Sequence, residues 1–271
     1  MRAPLRKYVG MAPTVGRRSF LLGLGAGVVT LAGCGRLRGD GESPGPVPEA
    51  SVGDERVQRR RSEARGQDVD FYTAVPAGHG DGRGLPVCLV LHGASATAAD
   101  FDNFGFGRFL TDTVTRGAKP FVLAGATGGR LRWQPGGTDD PRAMVHDELP
   151  AWCRERGFDT SHMALWGWSM GGYGVLRFAE TYPGFARAVA AFSPACSRGD
   201  AVFQEAGKLK GTPVGLWCGL QDDLVDTVKA LERALPEPKA AGAYADGRHT
   251  RRYWNRCTPS AFDFVSAQLY R

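Results

Sequence analysis

Gly167-Trp168-Ser169-Met170-Gly171 is the most informative stretch of this sequence. It follows the apolar run Met163 to Trp166 and leads into a helical pattern, Gly171 to Thr181, so the serine stands between a strand and a helix. A serine on so sharp a turn adopts strained backbone angles, and flanking glycines let the turn close against its neighbours. The hydroxyl group then points into a cleft beside a positive helix N-terminus. We therefore expect Ser169 to be a nucleophile.

Apolar runs on either side of this motif predict the rest of the architecture. They lack the alternation of half-exposed strands, which indicates strands buried on both faces of a parallel sheet. Helical patterns separate them, so the sequence predicts an α/β domain with helices on both faces of a mostly parallel sheet. The expected strands are 87–91, 121–124, 163–166, 188–192 and 214–218, with an antiparallel strand at 68–75 and a short strand at 243–245; the expected helices are 142–156, 171–181, 224–235 and 261–270.

A serine needs a base and an orienting acid, which in this fold class follow in the order serine, acid, histidine. Of the five histidines only His249 follows Ser169, in a loop before the last helix. The acid is expected after the strand at 214–218, where Asp222 lies in the strand-end loop. Asp223 fits the first turn of the next helix better, where acids favour the helix dipole. We predict the triad Ser169, Asp222 and His249, with Asp223 as the alternative acid.

Two backbone N–H groups are expected to bind the oxyanion that forms during attack. One belongs to Met170, directly after the nucleophile, and the other to Ala94, where Gly93 lets the backbone approach. We interpret His92 as structural, orienting this loop. Only about 20 residues separate the strands at 188–192 and 214–218, which predicts an open site without a large lid. Candidates for lining it are Trp168, Trp133 and Trp254, with core packing as an equal alternative for Trp133.

The first 33 residues are organised as an export signal. Arg17-Arg18 precede an apolar stretch from Phe20 to Gly33, whose 14 residues are too short for a span, which needs ~20. The arginine pair resembles a twin-arginine signal, and Leu31-Ala32-Gly33-Cys34 looks like a lipobox whose cysteine is lipidated; a plain signal peptide is the alternative. We expect a lipoprotein anchored through Cys34 at the outer face of the cytoplasmic membrane. Residues 34–67, rich in Gly, Pro and charge, are expected to form a flexible tether to a domain at 68–271.

The positive charge of the chain lies in its leader. The net charge is +6, but residues 1–33 carry five basic residues and no acid, which leaves 29 basic against 28 acidic residues. A nearly neutral body gives no case for nucleic-acid binding. No close-spaced set of cysteines and histidines indicates a metal site, and we expect neither metal nor cofactor. Cys196 and Cys257 are candidates for a disulfide in an exported protein.

These segments together resemble the α/β-hydrolase superfamily and, within it, the esterase D and mycolyltransferase group. The resemblance covers residues 68–271 and implies a serine esterase that works through an acyl-enzyme. Leu91-His92-Gly93 stands where mycolyltransferases usually carry Asp-Gly, and Asp222 stands where they usually use Glu, so a general esterase is favoured. The residues that carry the resemblance are Asp147 to Trp152, Gly167 to Gly172, Tyr182-Pro183 with Phe185, Phe192-Ser193-Pro194, and Tyr253-Trp254 after His249.

The resemblance leaves the substrate and several other functions open. We expect a monomer that acts on a small-molecule or lipid ester. The alternatives are acyl transfer to a cell-envelope acceptor, a peptidase of the same fold, and a non-catalytic binding module at the cell surface. A binding module would normally have lost a triad residue, whereas all three candidates are present here.

Overall fold

One mixed sheet of eight strands organises residues 43–238 and 240–271, which the computed structural model describes. The predicted export signal at 1–33 and the lipidation of Cys34 lie outside these residues. The strands are β1 (Glu55–Ser62), β2 (Gln67–Ala74), β3 (Pro86–Leu91), β4 (Val122–Ala126), β5 (Asp159–Trp168), β6 (Val189–Phe192), β7 (Val214–Gly219) and β8 (Ala241–Ala245). Their order across the sheet is β1-β2-β4-β3-β5-β6-β7-β8. The pairs β1/β2 and β2/β4 are antiparallel, and all other pairs are parallel.

Helices cover both faces of this sheet. Two of them, α1 and α7, pack with one set of buried side chains, and the remaining longer helices pack with a second set on the opposite face. The helices are α1 (Phe106–Thr115), α2 (Pro141–Ala143), a π-helical turn (Met144–Glu148), α3 (Leu149–Glu155), α4 (Met170–Thr181), α5 (Ala201–Gln204), α6 (Val225–Ala234) and α7 (Arg251–Leu269). Among the described residues, no helix combines the length and the apolar character needed to cross a membrane.

Burial on both faces explains why the sequences of the central strands are unbroken apolar runs. In β5 the side chain of Leu165 enters the core under α4, while that of Trp166 enters the core under α1 and α7. Both are almost fully buried, as expected for a strand with helices on each side. The predicted α/β architecture, with its mostly parallel sheet and its antiparallel strand near residues 68–75, is confirmed.

The folded domain begins before residue 68. The prediction of a flexible tether at 34–67 is therefore wrong for residues 43–67, the part of it that the structure describes. β1 pairs with β2 along its whole length. Upstream of β1, the amide of Asn255 donates a hydrogen bond to the carbonyl oxygen of Pro44 at 2.9 Å, and Val47 packs with the core under α1 and α7. β1 is an edge strand whose charged side chains face water. Its polar composition lacks the apolar run by which the central strands were predicted.

Helix α7 also begins earlier than predicted. The sequence placed its start at Ala261, but the helix begins at Arg251 and runs through Pro259. Helix α1 was not predicted at all. The helix predicted at 142–156 is divided into α2, the π-helical turn and α3, which contains Pro150.

We predict that β1 is required for stability. Deleting residues 1–66 should lower the melting temperature by more than about 5 °C relative to deleting residues 1–42. The shorter chain leaves the edge of β2 unpaired and removes Glu55, the hydrogen-bond partner of the buried Tyr72 hydroxyl group. Thermal unfolding followed by circular dichroism measures the difference. Equal melting temperatures would show that β1 contributes nothing to the fold.

Candidate active site

The nucleophile turn has the strained backbone that the sequence predicts. Ser169 joins β5 to α4 with φ 55° and ψ −119°, outside the regions that residues with side chains favour. Two backbone hydrogen bonds hold it there: Ser169 N–H donates to the carbonyl oxygen of Phe192 at 2.8 Å, and Ala195 N–H donates to the carbonyl oxygen of Ser169 at 2.9 Å. Both partners belong to the end of β6 or the loop after it, so the neighbouring strand fixes the turn.

Close packing explains the glycines on either side of Ser169. A Cβ atom on Gly171 would lie 1.9 Å from the carbonyl oxygen of Leu91 at the end of β3. A Cβ atom on Gly167 would lie 2.5 Å from the carbonyl oxygen of Gly171. Neither distance is possible for real atoms, so both positions require glycine, and the helix N-terminus can approach β3 closely.

The three predicted triad residues lie in one hydrogen-bonded chain. Nε2 of His249 lies 2.9 Å from Oγ of Ser169, and Nδ1 of His249 lies 2.9 Å from Oδ2 of Asp222. The loops after β5, β7 and β8 supply these side chains at the carboxyl edge of the sheet. Asp223, the alternative acid, is exposed at the surface. The geometry therefore favours Asp222 as the partner of His249.

The environment of Asp222 keeps its carboxyl group ionised. Burial alone would raise its pKa, but hydrogen bonds from His249, Leu224 N–H and Ser193, together with the charge of His249, hold the pKa below its ordinary value. The N–H of Leu224 donates to Oδ1 at 2.9 Å. A buried, ionised carboxylate of this kind holds the imidazole in one orientation and stabilises its protonated form.

Ser193 is a residue of the site that the sequence reasoning missed. It is fully buried at the end of β6 and has φ 42°. Its hydroxyl group bonds to the carboxylate of Asp222 and accepts a hydrogen bond from Nε1 of Trp254 at 3.2 Å. The segment Phe192-Ser193-Pro194 carried the family resemblance, which was the available signal, but it did not suggest a bond to the acid.

The two expected oxyanion donors flank the nucleophile. Met170 is the first residue of α4, so its N–H has no carbonyl partner within the helix. Ala94 follows Gly93, where an added Cβ atom would lie 3.4 Å from Cβ of Ser169. The loop after β3 therefore passes beside the nucleophile, as the prediction requires. Their role as oxyanion donors stays a prediction.

His92 ties two loops together beneath the site. Its Nδ1 lies 2.8 Å from the carbonyl oxygen of Gly93, and its Nε2 accepts a hydrogen bond from Gly128 N–H at 2.9 Å. Burial lowers the pKa of His92 to about 4, so the ring is neutral near pH 7. Both ring nitrogens are used within the protein, in agreement with a structural role.

Of the three tryptophans predicted to line the site, Trp133 is placed elsewhere. It is 1% exposed, and its Nε1 donates to the carbonyl oxygen of His92 at 3.1 Å, so a substrate cannot touch it. Trp168 is also buried and packs with aromatic rings under α1 and α7. Trp254 is partly exposed, and its ring meets that of His249 edge-on at 5.1 Å. Only Trp254 has a ring that both reaches solvent and contacts the triad.

The cleft is open. The side chain of His249 is 35% exposed, and Ser169 is partly exposed. The segment between β6 and β7 forms α5 and a short 3-10 helix, which contact α4. Within residues 43–238 and 240–271, no three histidine, cysteine or acidic side chains meet in a way that would hold a metal ion. The five described cysteines are free, so Cys196 and Cys257 do not pair.

Comparison with known proteins places this site in a family. Residues 62–256 match the family model described as "Putative esterase". The chain belongs to this esterase family. The match confirms the predicted resemblance and agrees with a carboxylic ester hydrolase. No curated protein matches the esterase in sequence.

Solved structures with the same fold include several esterases. A ferulic acid esterase has 16% sequence identity, with a TM-score of 0.71 over 81% of this chain and 100% of that chain. The S-formylglutathione hydrolase of Agrobacterium tumefaciens has 16% identity and a TM-score of 0.63 over 79% and 95%. A ferulic acid esterase of Anaeromyces mucronatus, in complex with ferulic acid, has 16% identity and a TM-score of 0.67 over 82% and 92%. At this identity the likeness shows a shared α/β-hydrolase fold.

We predict that Ser193 positions the acid. Ser193→Ala should lower kcat/KM for an ester by about tenfold, since a hydrogen bond to a charged group is lost. Losing this donor also raises the pKa of Asp222, so activity should be lost at a higher pH on the acid side of the profile. Ser197→Ala, on the exposed part of the same loop, is the matched control. A pH–rate profile identical to the wild type would contradict the assignment.

Proposed function

We propose that the protein is a serine esterase that cleaves carboxylic esters through an acyl-enzyme on Ser169, with His249 as base and Asp222 as orienting acid. The hydrogen-bonded chain from Ser169 through His249 to the buried Asp222 carries this proposal. Such a chain makes a serine hydroxyl group nucleophilic at neutral pH. The family match supports the reaction class.

Acylation begins with attack of Oγ of Ser169 on the ester carbonyl carbon, while the hydroxyl proton moves to Nε2 of His249. The negative charge on the former carbonyl oxygen is bound by the N–H groups of Met170 and Ala94, and the N-terminus of α4 adds positive potential. His249 then gives its proton to the oxygen of the leaving alcohol, and the bond between acyl carbon and that oxygen breaks.

Deacylation repeats these steps with a new nucleophile. His249 takes a proton from water, the oxygen attacks the acyl carbon, and Ser169 leaves with the proton from His249. The partly exposed His249 makes entry of water easy, which favours hydrolysis. An alcohol that occupied the same position would receive the acyl group instead, so acyl transfer remains the second outcome of the same chemistry.

Substitution of the triad tests this proposal. Ser169→Ala should reduce turnover of p-nitrophenyl esters to background and abolish labelling by a fluorophosphonate. Asp222→Asn should lower kcat by about 10³–10⁴-fold, as in other triads. Asp223→Asn is the matched control and should stay close to wild type, because Asp223 is exposed.

The same measurements would identify the alternative acid Asp223 or a binding module without catalytic activity. Loss of activity in Asp223→Asn, with Asp222→Asn active, would make Asp223 the acid. A folded wild type that neither turns over any ester from acetate to palmitate nor reacts with the fluorophosphonate would point to a binding module.

We also propose that the protein is exported and anchored through Cys34, because Leu31-Ala32-Gly33-Cys34 closes the apolar stretch. Cells fed with radioactive palmitate should label the wild type but not Cys34→Ala, and the variant should leave the membrane fraction. Replacing Arg17 and Arg18 by lysine should block export through a twin-arginine route. Labelling that persists in Cys34→Ala would exclude this residue as the lipid site.

A further inference from the structure

A charged side chain packs among aromatic rings next to the triad. Arg251 is the first residue of α7 and follows His249 by two positions. Its Cζ atom lies 3.1 Å from the ring centroid of Phe104 and 5.9 Å from that of Trp168, the residue before the nucleophile. A guanidinium group stacked in this way uses its flat face and leaves its N–H groups, which lie in its plane, free to bind other groups.

Within the ranges that the structure describes, the side chain of Arg251 makes no hydrogen bond or ion pair. Burial lowers the pKa of Arg251 to about 10, and the charge of Asp100 offsets only part of this lowering. The group is therefore still protonated near pH 7. The more deeply buried Arg65 and Arg177 behave differently. Arg65 binds Asp139 at 2.7 Å, and Arg177 binds Glu180.

A half-buried cation without a counter-ion costs stability, and aromatic rings offset only part of that cost. A packing role alone would be filled at lower cost by an apolar side chain. The observation that needs explanation is therefore a set of N–H donors, unpaired within the described residues, on a cation whose Cζ atom lies 5.9 Å from the ring of Trp168, the residue before the nucleophile. An anionic group on a ligand would supply the missing partner.

The position of Arg251 indicates which part of an ester this group belongs to. His249 protonates the leaving alcohol, so the alcohol lies on the His249 side of the cleft. Arg251 is on that side, since α7 carries both Arg251 and Trp254, whose ring contacts that of His249. The ring of Trp254 and the guanidinium group of Arg251 both lie near the ring of Trp168, at 6.5 Å and 5.9 Å, so both are beside the nucleophile turn.

We propose that Arg251 is a specificity residue that binds a carboxylate, phosphate or sulfate group carried by the alcohol part of the ester substrate. The inference rests on the proposed esterase function and adds a substrate class to it. The bound anion pairs with the N–H groups of the guanidinium, while Phe104 holds the plane of that group in place.

A pair of esters that differ in one charge tests the proposal. The probes are 4-acetoxybenzoate, whose leaving alcohol carries a carboxylate, and its methyl ester, which is neutral. The measured quantity is the ratio of kcat/KM for the anionic ester to kcat/KM for the neutral ester, with the full chain. Comparing this ratio between wild type and variant cancels the different intrinsic reactivity of the two esters. Arg251→Met should lower the ratio by about tenfold, chiefly through KM.

Two further variants separate a charge effect from packing. Arg251→Lys keeps the charge and should retain part of the preference. Arg256→Met removes an exposed arginine from the same helix and should leave the ratio unchanged, which controls for net charge. A ratio in Arg251→Met equal to that of the wild type overturns the proposal, because Arg251 would then only pack.

Salt provides a test that needs no variant. If Arg251→Met fails to fold, the wild-type ratio should still fall between about 0.05 M and 0.5 M NaCl, as screening weakens a partly exposed ion pair. A ratio independent of salt overturns the proposal.

Binding of the product separates this proposal from the esterase function. If neither ester is turned over and Ser169 resists a fluorophosphonate, the esterase function fails. Calorimetry with 4-hydroxybenzoate and its methyl ester then tests Arg251 alone. Tighter binding of the anion by the wild type, lost in Arg251→Met and partly kept in Arg251→Lys, supports the anion site. Equal binding of the two compounds by the wild type overturns it.

Discussion

The strained turn at Ser169 is the constraint on which the site depends. A positive φ at a residue with a side chain costs free energy, and contacts with the surrounding backbone must offset that cost. Here the end of β6 and the loop after it offset the cost, because Ser169 N–H donates to the carbonyl oxygen of Phe192 and Ala195 N–H donates to that of Ser169. β3 contributes by letting Gly171 approach Leu91. Three neighbouring strands are thus fixed relative to one another by one residue, which explains why so short a motif predicts so much of the fold.

The same strands gather the rest of the chemistry at one edge of the sheet. Because β5, β6, β7 and β8 are parallel neighbours, their carboxyl ends bring together side chains that are far apart in sequence. The resulting network has a graded environment: Asp222 is buried and ionised, His249 is about one-third exposed, and Ser169 faces the cleft. Burial of the acid strengthens its hold on the imidazole, whereas exposure of the base lets water reach the acyl group.

The sequence predicted those elements whose residue pattern is set by their own burial and by their neighbours along the chain. Apolar runs identified the central strands, and the order of the triad residues selected His249 and favoured Asp222. It failed where an element owes its form to tertiary contacts. β1 has a polar composition because it lies at an edge, and α7 continues through Pro259 because its apolar face is packed against the sheet. Ser193 was missed, and the choice between lining and core packing for Trp133 stayed open, for a related reason: neither a bond to a buried acid nor burial beneath a loop leaves a periodic signal.

The pairing of charged side chains is another property that the sequence could not predict. The body of the chain is nearly neutral by composition, which excluded a nucleic-acid partner but could not show which charges are paired. The structure pairs Arg65 with Asp139 and Arg177 with Glu180, so these buried cations are compensated within the fold. Arg251 is stacked on aromatic rings beside the triad, and no described carboxylate bonds to it. Net charge is a sum over all residues, so it could not show that a guanidinium group beside the triad lacks a carboxylate partner within the described residues.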